Sequence, residues 1–213
     1  MRQATIRKLG WILGLALSLG VATRAGADDK EAHAAALYQQ SYALEAGREY
    51  GAALARMREI ESKAGKSYFL SVRTGWLAYL AGEFAASENA YREAIGIAPK
   101  AIEAKLGLTL PLLAAKKWRD LERACRDVLA VDAQNMVARA RIAAALYSLG
   151  NYPDSATFYR KLVEEYPADL DHKTGLGWAL VRMGKRQEGK ALFAQVLAVA
   201  PENANARQGM ALP

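Results

Sequence analysis

Apolar residues recur along most of this chain at intervals of three and four, the spacing of one helix face. Leu106, Leu110 and Leu113 fall on such a face, and so do Ile142, Leu146 and Leu149. These runs end at a Gly-x-aromatic step, as in Gly82-Glu83-Phe84 and Gly150-Asn151-Tyr152. Glycine suits the left-handed conformation at a helix C-terminus. A second amphipathic segment follows, for example Ser155 to Glu165 with Tyr159, Leu162 and Val163 on its apolar face. Pro167 then stops it, because proline cannot continue a helix. No segment alternates with the period of a strand. The pattern predicts an all-α chain of helix–turn–helix units.

The units share a period of 34 residues. Pro99, Ala133, Pro167 and Pro201 are spaced by it, as are Tyr50, Phe84, Trp118, Tyr152 and Arg186. Gly82, Lys116, Gly150 and Gly184 form another column, and Met57, Tyr91, Cys125, Tyr159 and Phe193 another. Several columns at one period mark a stacked repeat array. Five units are expected at 34–67, 68–101, 102–135, 136–169 and 170–203, with Gly65 in the proline column of the first. Residues 28–33 read as a short tail or helix start. Residues 204–213 read as a C-terminal cap, a short frayed helix over the last apolar face.

A 34-residue helix–turn–helix unit resembles the tetratricopeptide repeat. Leu176-Gly177 matches that family's Leu-Gly pair, and Gly75 stands in the same column. Ser155 with Tyr159 and Ala53 with Met57 fit its small-then-large pair, and Pro99, Pro167 and Pro201 fit its terminal proline. The family's early tryptophan column instead holds Leu37, Ser71, Lys105, Arg139 and Lys173, and its tyrosine column Leu44, Ala78, Leu112, Leu146 and Leu180. The resemblance implies an all-α, right-handed superhelix, an α-solenoid whose first helices line a concave, peptide-binding face. Some relatives grip a C-terminal carboxylate there with lysines and asparagines. This chain offers Tyr38, Tyr42, Arg73 and Gly107 in those columns, so that specificity does not carry over.

Two columns of the first helices are expected on the concave side, three residues apart. One reads Tyr42, Trp76, Leu110, Ala144 and Trp178; the other reads Glu45, Tyr79, Leu113, Tyr147 and Val181. Tyr38, Phe69, Arg73, Arg141 and Arg182 lie near them. The partner-binding residues expected are therefore Tyr38, Tyr42, Phe69, Arg73, Trp76, Tyr79, Leu110, Arg141, Tyr147, Trp178 and Arg182. Tryptophan, tyrosine and arginine are enriched at binding hot spots. An apolar or acidic protein segment would suit them, its carboxylates paired to the arginines. The opposing expectation is that these aromatics only pad the gaps between neighbouring helices. Pro111 should kink the first helix of the third unit.

Composition narrows this picture. The chain is 52% hydrophobic and 24% charged, a globular balance. Of its net charge of +7, four positive charges lie in the first 27 residues, which hold no acid; the remaining 25 bases and 22 acids nearly balance. A nucleic-acid surface would concentrate far more charge. The N-terminus has a basic head, an apolar run from Leu9 to Ala22 and Ala25-Gly26-Ala27, the layout of a signal peptide cleaved after Ala27. The 14-residue run is short of the ~20 that span a bilayer. An exported, periplasmic protein with no stable membrane insertion is expected. Cys125 is the one cysteine and reads as a small buried hydrophobe. His33 and His172 have no second ligand at metal spacing. Lys173-Thr174-Gly175 lacks the Ser-x-x-Lys that would make it catalytic. The expectation is a non-enzymatic scaffold without cofactor or metal, binding a partner protein or peptide in envelope assembly or polysaccharide secretion. The alternative is a protein that holds a glycan or lipid fragment against the aromatics.

Overall fold

The computed structural model describes residues 31–212, so the expected signal peptide lies outside the described residues. Eleven helices follow one another among them: α1 (31–46), α2 (Tyr50–Ala64), α3 (Tyr68–Leu80), α4 (Phe84–Ile97), α5 (Ile102–Ala114), α6 (Trp118–Leu129), α7 (Met136–Ser148), α8 (Tyr152–Glu165), α9 (Leu170–Arg182), α10 (Arg186–Val199) and α11 (Ala204–Met210). First helices from α3 on begin 34 residues apart, and so do the second helices. From α2 on, each helix packs on the next, and α3 also meets α5, α7 meets α9, and α9 meets α11. The first helices thus lie side by side as an inner layer of an α-solenoid.

Local chemistry repeats with the helices. Ser67, Asn135, Asp169 and Asn203 each accept a backbone N–H three residues on, capping α3, α7, α9 and α11. Such a cap is worth about 1 kcal/mol. Helix α5 has Ala101 in this column and no side-chain cap. At the turn within each pair, the N–H of residues 49, 83, 117, 151 and 185 reaches the carbonyl five residues back, at 2.8 to 2.9 Å. This closes the last turn of the first helix. The residue before it has positive φ and is Gly82, Gly150 or Gly184 in three units, but Arg48 and Lys116 in the other two.

Packing between the layers rests on one alternation. The Tyr91 ring from α4 lies against Gly75 and Gly107, where a Cβ would come within 2.9 and 2.1 Å of it. Tyr159 stands the same way against Gly175, and Phe193 between Gly177 and Gly209. Each aromatic is followed sixteen residues later by glycine. Where the column holds the slimmer Met57 and Cys125, the residue sixteen later is Arg73 and Arg141. Large rings exclude a side chain on the neighbouring inner helix, and smaller ones admit it.

Helix α5 runs from Ile102 through Pro111 to Ala114, so proline does not end it. Proline cannot donate to the carbonyl four residues back. One residue before that carbonyl, the Leu106 carbonyl accepts from the Thr109 hydroxyl at 2.6 Å and from Arg141 Nη1 at 3.2 Å. At the C-terminus, α11 makes the two-turn cap that was expected. Ala206 and Gly209 are its buried face, and Lys190 Nζ donates to the Leu212 carbonyl at 2.6 Å. Cys125 is fully buried, and burial pushes its thiol up to about 12.

Candidate functional site

Among the described residues, a depression lies towards each end of the inner layer. The one nearer the N-terminus is lined by Tyr42, Glu45, Ala46, Tyr50, Arg73, Trp76 and Leu80, from α1, α2 and α3. Arg73 organises it. Its side chain is only 7% exposed and donates to Ser41 Oγ from Nε at 3.0 Å and from Nη2 at 2.6 Å. Nη1 pairs with Glu45 Oε2 at 3.0 Å, and the guanidinium lies 3.5 Å from the centre of the Tyr42 ring. The other oxygen of Glu45 accepts the Trp76 indole N–H at 2.7 Å. One carboxylate therefore joins an arginine and a tryptophan, while Tyr42 remains 50% and Trp76 36% exposed.

The second depression, about 560 Å³, is lined by Ala144, Tyr147 and Ser148 of α7, Tyr159 of α8, Asp171, Thr174, Gly175 and Trp178 of α9, and Asn205 and Gln208 of α11. That volume falls in the ~300–1,000 Å³ range of ligand sites. Asp171, Thr174, Gly175 and Trp178 share one helix face by their spacing. Tyr159 belongs to the outer layer and takes part in the pocket because Gly175 leaves its ring a gap. Burial, then the charge of Asp171 and the neighbouring Tyr147, push the Tyr159 phenol up to about 12. Asp171 is the one carboxyl side chain lining this pocket.

The remaining expected residues occupy other places. Tyr38 meets Phe69 edge-on with centroids 5.2 Å apart, and Phe69 is 52% exposed beside the first depression. Tyr79 lies tilted between Trp76 and Phe84. Leu110 is half-buried on the stretch of α5 between the two depressions. Arg141 is half-buried and directed at the Leu106 carbonyl and the Thr109 hydroxyl. Arg182 donates to the Tyr152 hydroxyl at 2.5 Å and lies over its ring. Tyr147 touches Tyr152, and Trp178 is half-buried against Phe193, with centroids 5.4 Å apart in each pair. The structure thus gathers Tyr42, Arg73 and Trp76 at one end and Tyr147 and Trp178 at the other.

Sequence reasoning did not place Tyr159, Asp171, Thr174, Asn205 or Gln208 on the binding face. Asp171 and Thr174 were available as the continuation of the Trp178 face by seven and four residues. Asn205 and Gln208 follow them at the repeat interval in the cap. Among the described residues no group of three His, Cys, Asp or Glu could hold a metal ion, and no helix is long and apolar enough to cross a membrane.

Residues 138–169 match the family described as Tetratricopeptide repeat. No curated protein sequence matches the chain. Solved structures share its fold at low identity. YrrB, described as a TPR protein with an unusual peptide-binding site, is 12% identical with a TM-score of 0.71, over 83% of this chain and 91% of that one. A tetratricopeptide repeat protein from Parabacteroides merdae is 14% identical with a TM-score of 0.76, over 84% and 71%. MamA from Desulfovibrio magneticus is 14% identical with a TM-score of 0.74, over 81% and 97%.

Proposed function

On the premise that the chain is a tetratricopeptide-repeat protein, we propose that it is a non-enzymatic scaffold whose inner layer captures an extended segment of another protein. The observation that carries this reading is the pair of aromatic depressions, around Trp76 and around Trp178, at the two ends of one inner face. Half-exposed tryptophan and tyrosine on a rigid helical wall give large contact area at small entropic cost. The peptide-binding site stated for YrrB, whose fold is similar, supports the same use of the fold.

The test is a photo-crosslinking amino acid placed at Tyr42, at Trp178, or at the outer-layer residue Arg160, in cells that make the protein. Adducts are expected from the first two positions and not from the third. Equal labelling from all three would remove the proposal. The double variant Trp76→Ala/Trp178→Ala should lose the adduct formed through Tyr42 and keep its far-ultraviolet circular dichroism. Loss of helicity instead would make these rings padding.

The cellular setting we propose is the periplasm, within an envelope-assembly or polysaccharide-secretion apparatus. The basic head, apolar run and Ala25-Gly26-Ala27 support it. Mass spectrometry of the protein from its host should find a mature chain beginning at Asp28, and an intact Met1 end would contradict export. A glycan ligand has one observation in its favour: Asp171, Asn205 and Gln208 flank Trp178 with hydrogen-bonding groups that suit sugar hydroxyls.

A further inference from the structure

The two ends of the inner face are chemically related, and the difference between them identifies an occupant. At the N-terminal end the chain supplies its own cation. The Arg73 guanidinium rests on the Tyr42 ring and ends on the Glu45 carboxylate, which also holds Trp76. An aromatic face and a carboxylate together satisfy a positive charge, each weakly at an exposed site and more strongly where water is displaced.

At the C-terminal end the aromatic faces and the carboxylate are present without the cation. The position that repeats Arg73 is Gly175, which has no side chain to offer because Tyr159 fills that space. Asp171 enters no ion pair or hydrogen bond through its side chain among the described residues, whereas the carboxylate of its neighbour Asp169 accepts the backbone N–H of His172 at 2.9 Å. On the same helix, the guanidinium of Arg182 is engaged by Tyr152. Amides of Asn205 and Gln208 stand at the rim, able to donate to and accept from a peptide backbone.

We propose that this end of the face is a receptor for a basic side chain. A lysine or arginine of an extended polypeptide segment enters beside Trp178 and Tyr147 and terminates on the Asp171 carboxylate. The inference rests on the peptide-capture reading and names its chemistry: the bound segment is basic where it meets α9, not acidic. The arginines expected to draw an acidic segment have partners within the chain, as Arg73 has in Glu45 and Arg182 in Tyr152.

The test uses the full chain labelled with nitrogen-15, following the indole N–H of Trp178, assigned with Trp178→Phe. The probes are N-acetyl amino acid methylamides of lysine, arginine, norleucine and glutamate, and cellobiose. Lysine and arginine derivatives should shift the Trp178 resonance saturably. Norleucine, which matches lysine in shape without its charge, should bind at least about fivefold more weakly. Asp171→Asn should bring lysine down to the level of norleucine, and added salt should do so partly. Equal shifts from norleucine or glutamate would overturn the inference while leaving peptide capture intact. A response to cellobiose alone would overturn both in favour of a glycan. Silence towards every probe would overturn the inference, with the crosslinking outcome then deciding the broader reading.

Discussion

The Tyr91 ring occupies the space that a side chain at Gly107 would need: a Cβ there would stand 2.1 Å from Tyr91 Cε1. The same ring is buried in the largest core cluster, against residues of α5 and α6. Gly107→Ala must therefore displace either the ring or α5. It is expected to destabilise the fold by about 1–3 kcal/mol, the usual cost of overpacking. Gly51→Ala, on an open helix surface with nothing within 4 Å, should instead raise stability by about 0.4–1 kcal/mol. Urea denaturation followed by circular dichroism measures both.

The two ends of α5 lack the repeat's own chemistry. Ala101 already has the extended backbone of the capping column, with φ −72° and ψ 115°, but no side-chain acceptor. Ala101→Asn should gain about 1 kcal/mol by supplying it. Lys116 has φ 54°, where three other units place glycine. Lys116→Gly should gain up to about 1–2 kcal/mol by relieving the left-handed backbone. Raised midpoints in thermal unfolding, nearly additive in the double variant, are the expected readout.

Removing Glu45 leaves the buried Arg73 with the Ser41 hydroxyl and the Tyr42 ring but no counter-charge, and frees the Trp76 indole. Glu45→Ala should cost about 1–3 kcal/mol and change Trp76 fluorescence. Glu45→Gln keeps an acceptor for the indole and should shift the emission less. A fully stable Glu45→Ala protein would mean that Arg73 finds water without penalty.

Cys125 is shielded both by burial and by its raised ionisation. Thiolate is the reactive form. N-ethylmaleimide at neutral pH should leave the folded protein unmodified, as judged by intact mass, and should add once in denaturant. Prompt addition to the native protein would contradict the burial.

The alkaline limb of stability follows from the same groups. Tyr159 is held up to about 12 and Cys125 up to about 12, each first by burial, against ordinary values of 10.0 and 9.0. Their contribution is complete below the ordinary values and is lost as pH rises towards the folded ones. The melting temperature should hold to about pH 9 and fall above it, and Tyr159→Phe should fall less steeply. Glu165 behaves oppositely. The hydrogen bonds from Arg139 hold its carboxyl below the usual range, so its contribution is present above the ordinary carboxylate value and fades as pH falls through the lowered one.

The helix–turn–helix architecture was legible in the sequence because its determinants are local and repeat. Gly82, Gly150 and Gly184 mark turns, and the apolar spacing marks faces, without reference to distant residues. The capping column of Ser67, Asn135, Asp169 and Asn203 was equally available, but its mixture of serine, asparagine and aspartate, with Ala101 among them, hides the period. The site was only partly legible. Tyr42, Trp76, Tyr147 and Trp178 could be placed on one face by counting. What Arg73 does could not, because its partners Ser41 and Glu45 lie in the preceding unit. Nor could Tyr159 be assigned to the inner face from its own helix, since its access depends on the absence of a side chain at Gly175.

That pairing across units bears on how such a chain can be recombined. Tyr91 with Gly107, Tyr159 with Gly175, and Phe193 with Gly209 each straddle the join between one 34-residue unit and the next. Transplanting a unit cut at its sequence boundary would set a tyrosine against an arginine, or leave a hole where glycine faces a slim side chain. A transplant cut in the turn within a pair, so that α4 travels with α5 or α8 with α9, carries both halves of these tighter fits and divides only the looser ones of Tyr91 with Gly75 and Phe193 with Gly177. The natural brick of this wall is therefore offset by half a unit from the repeat that the eye finds in its sequence.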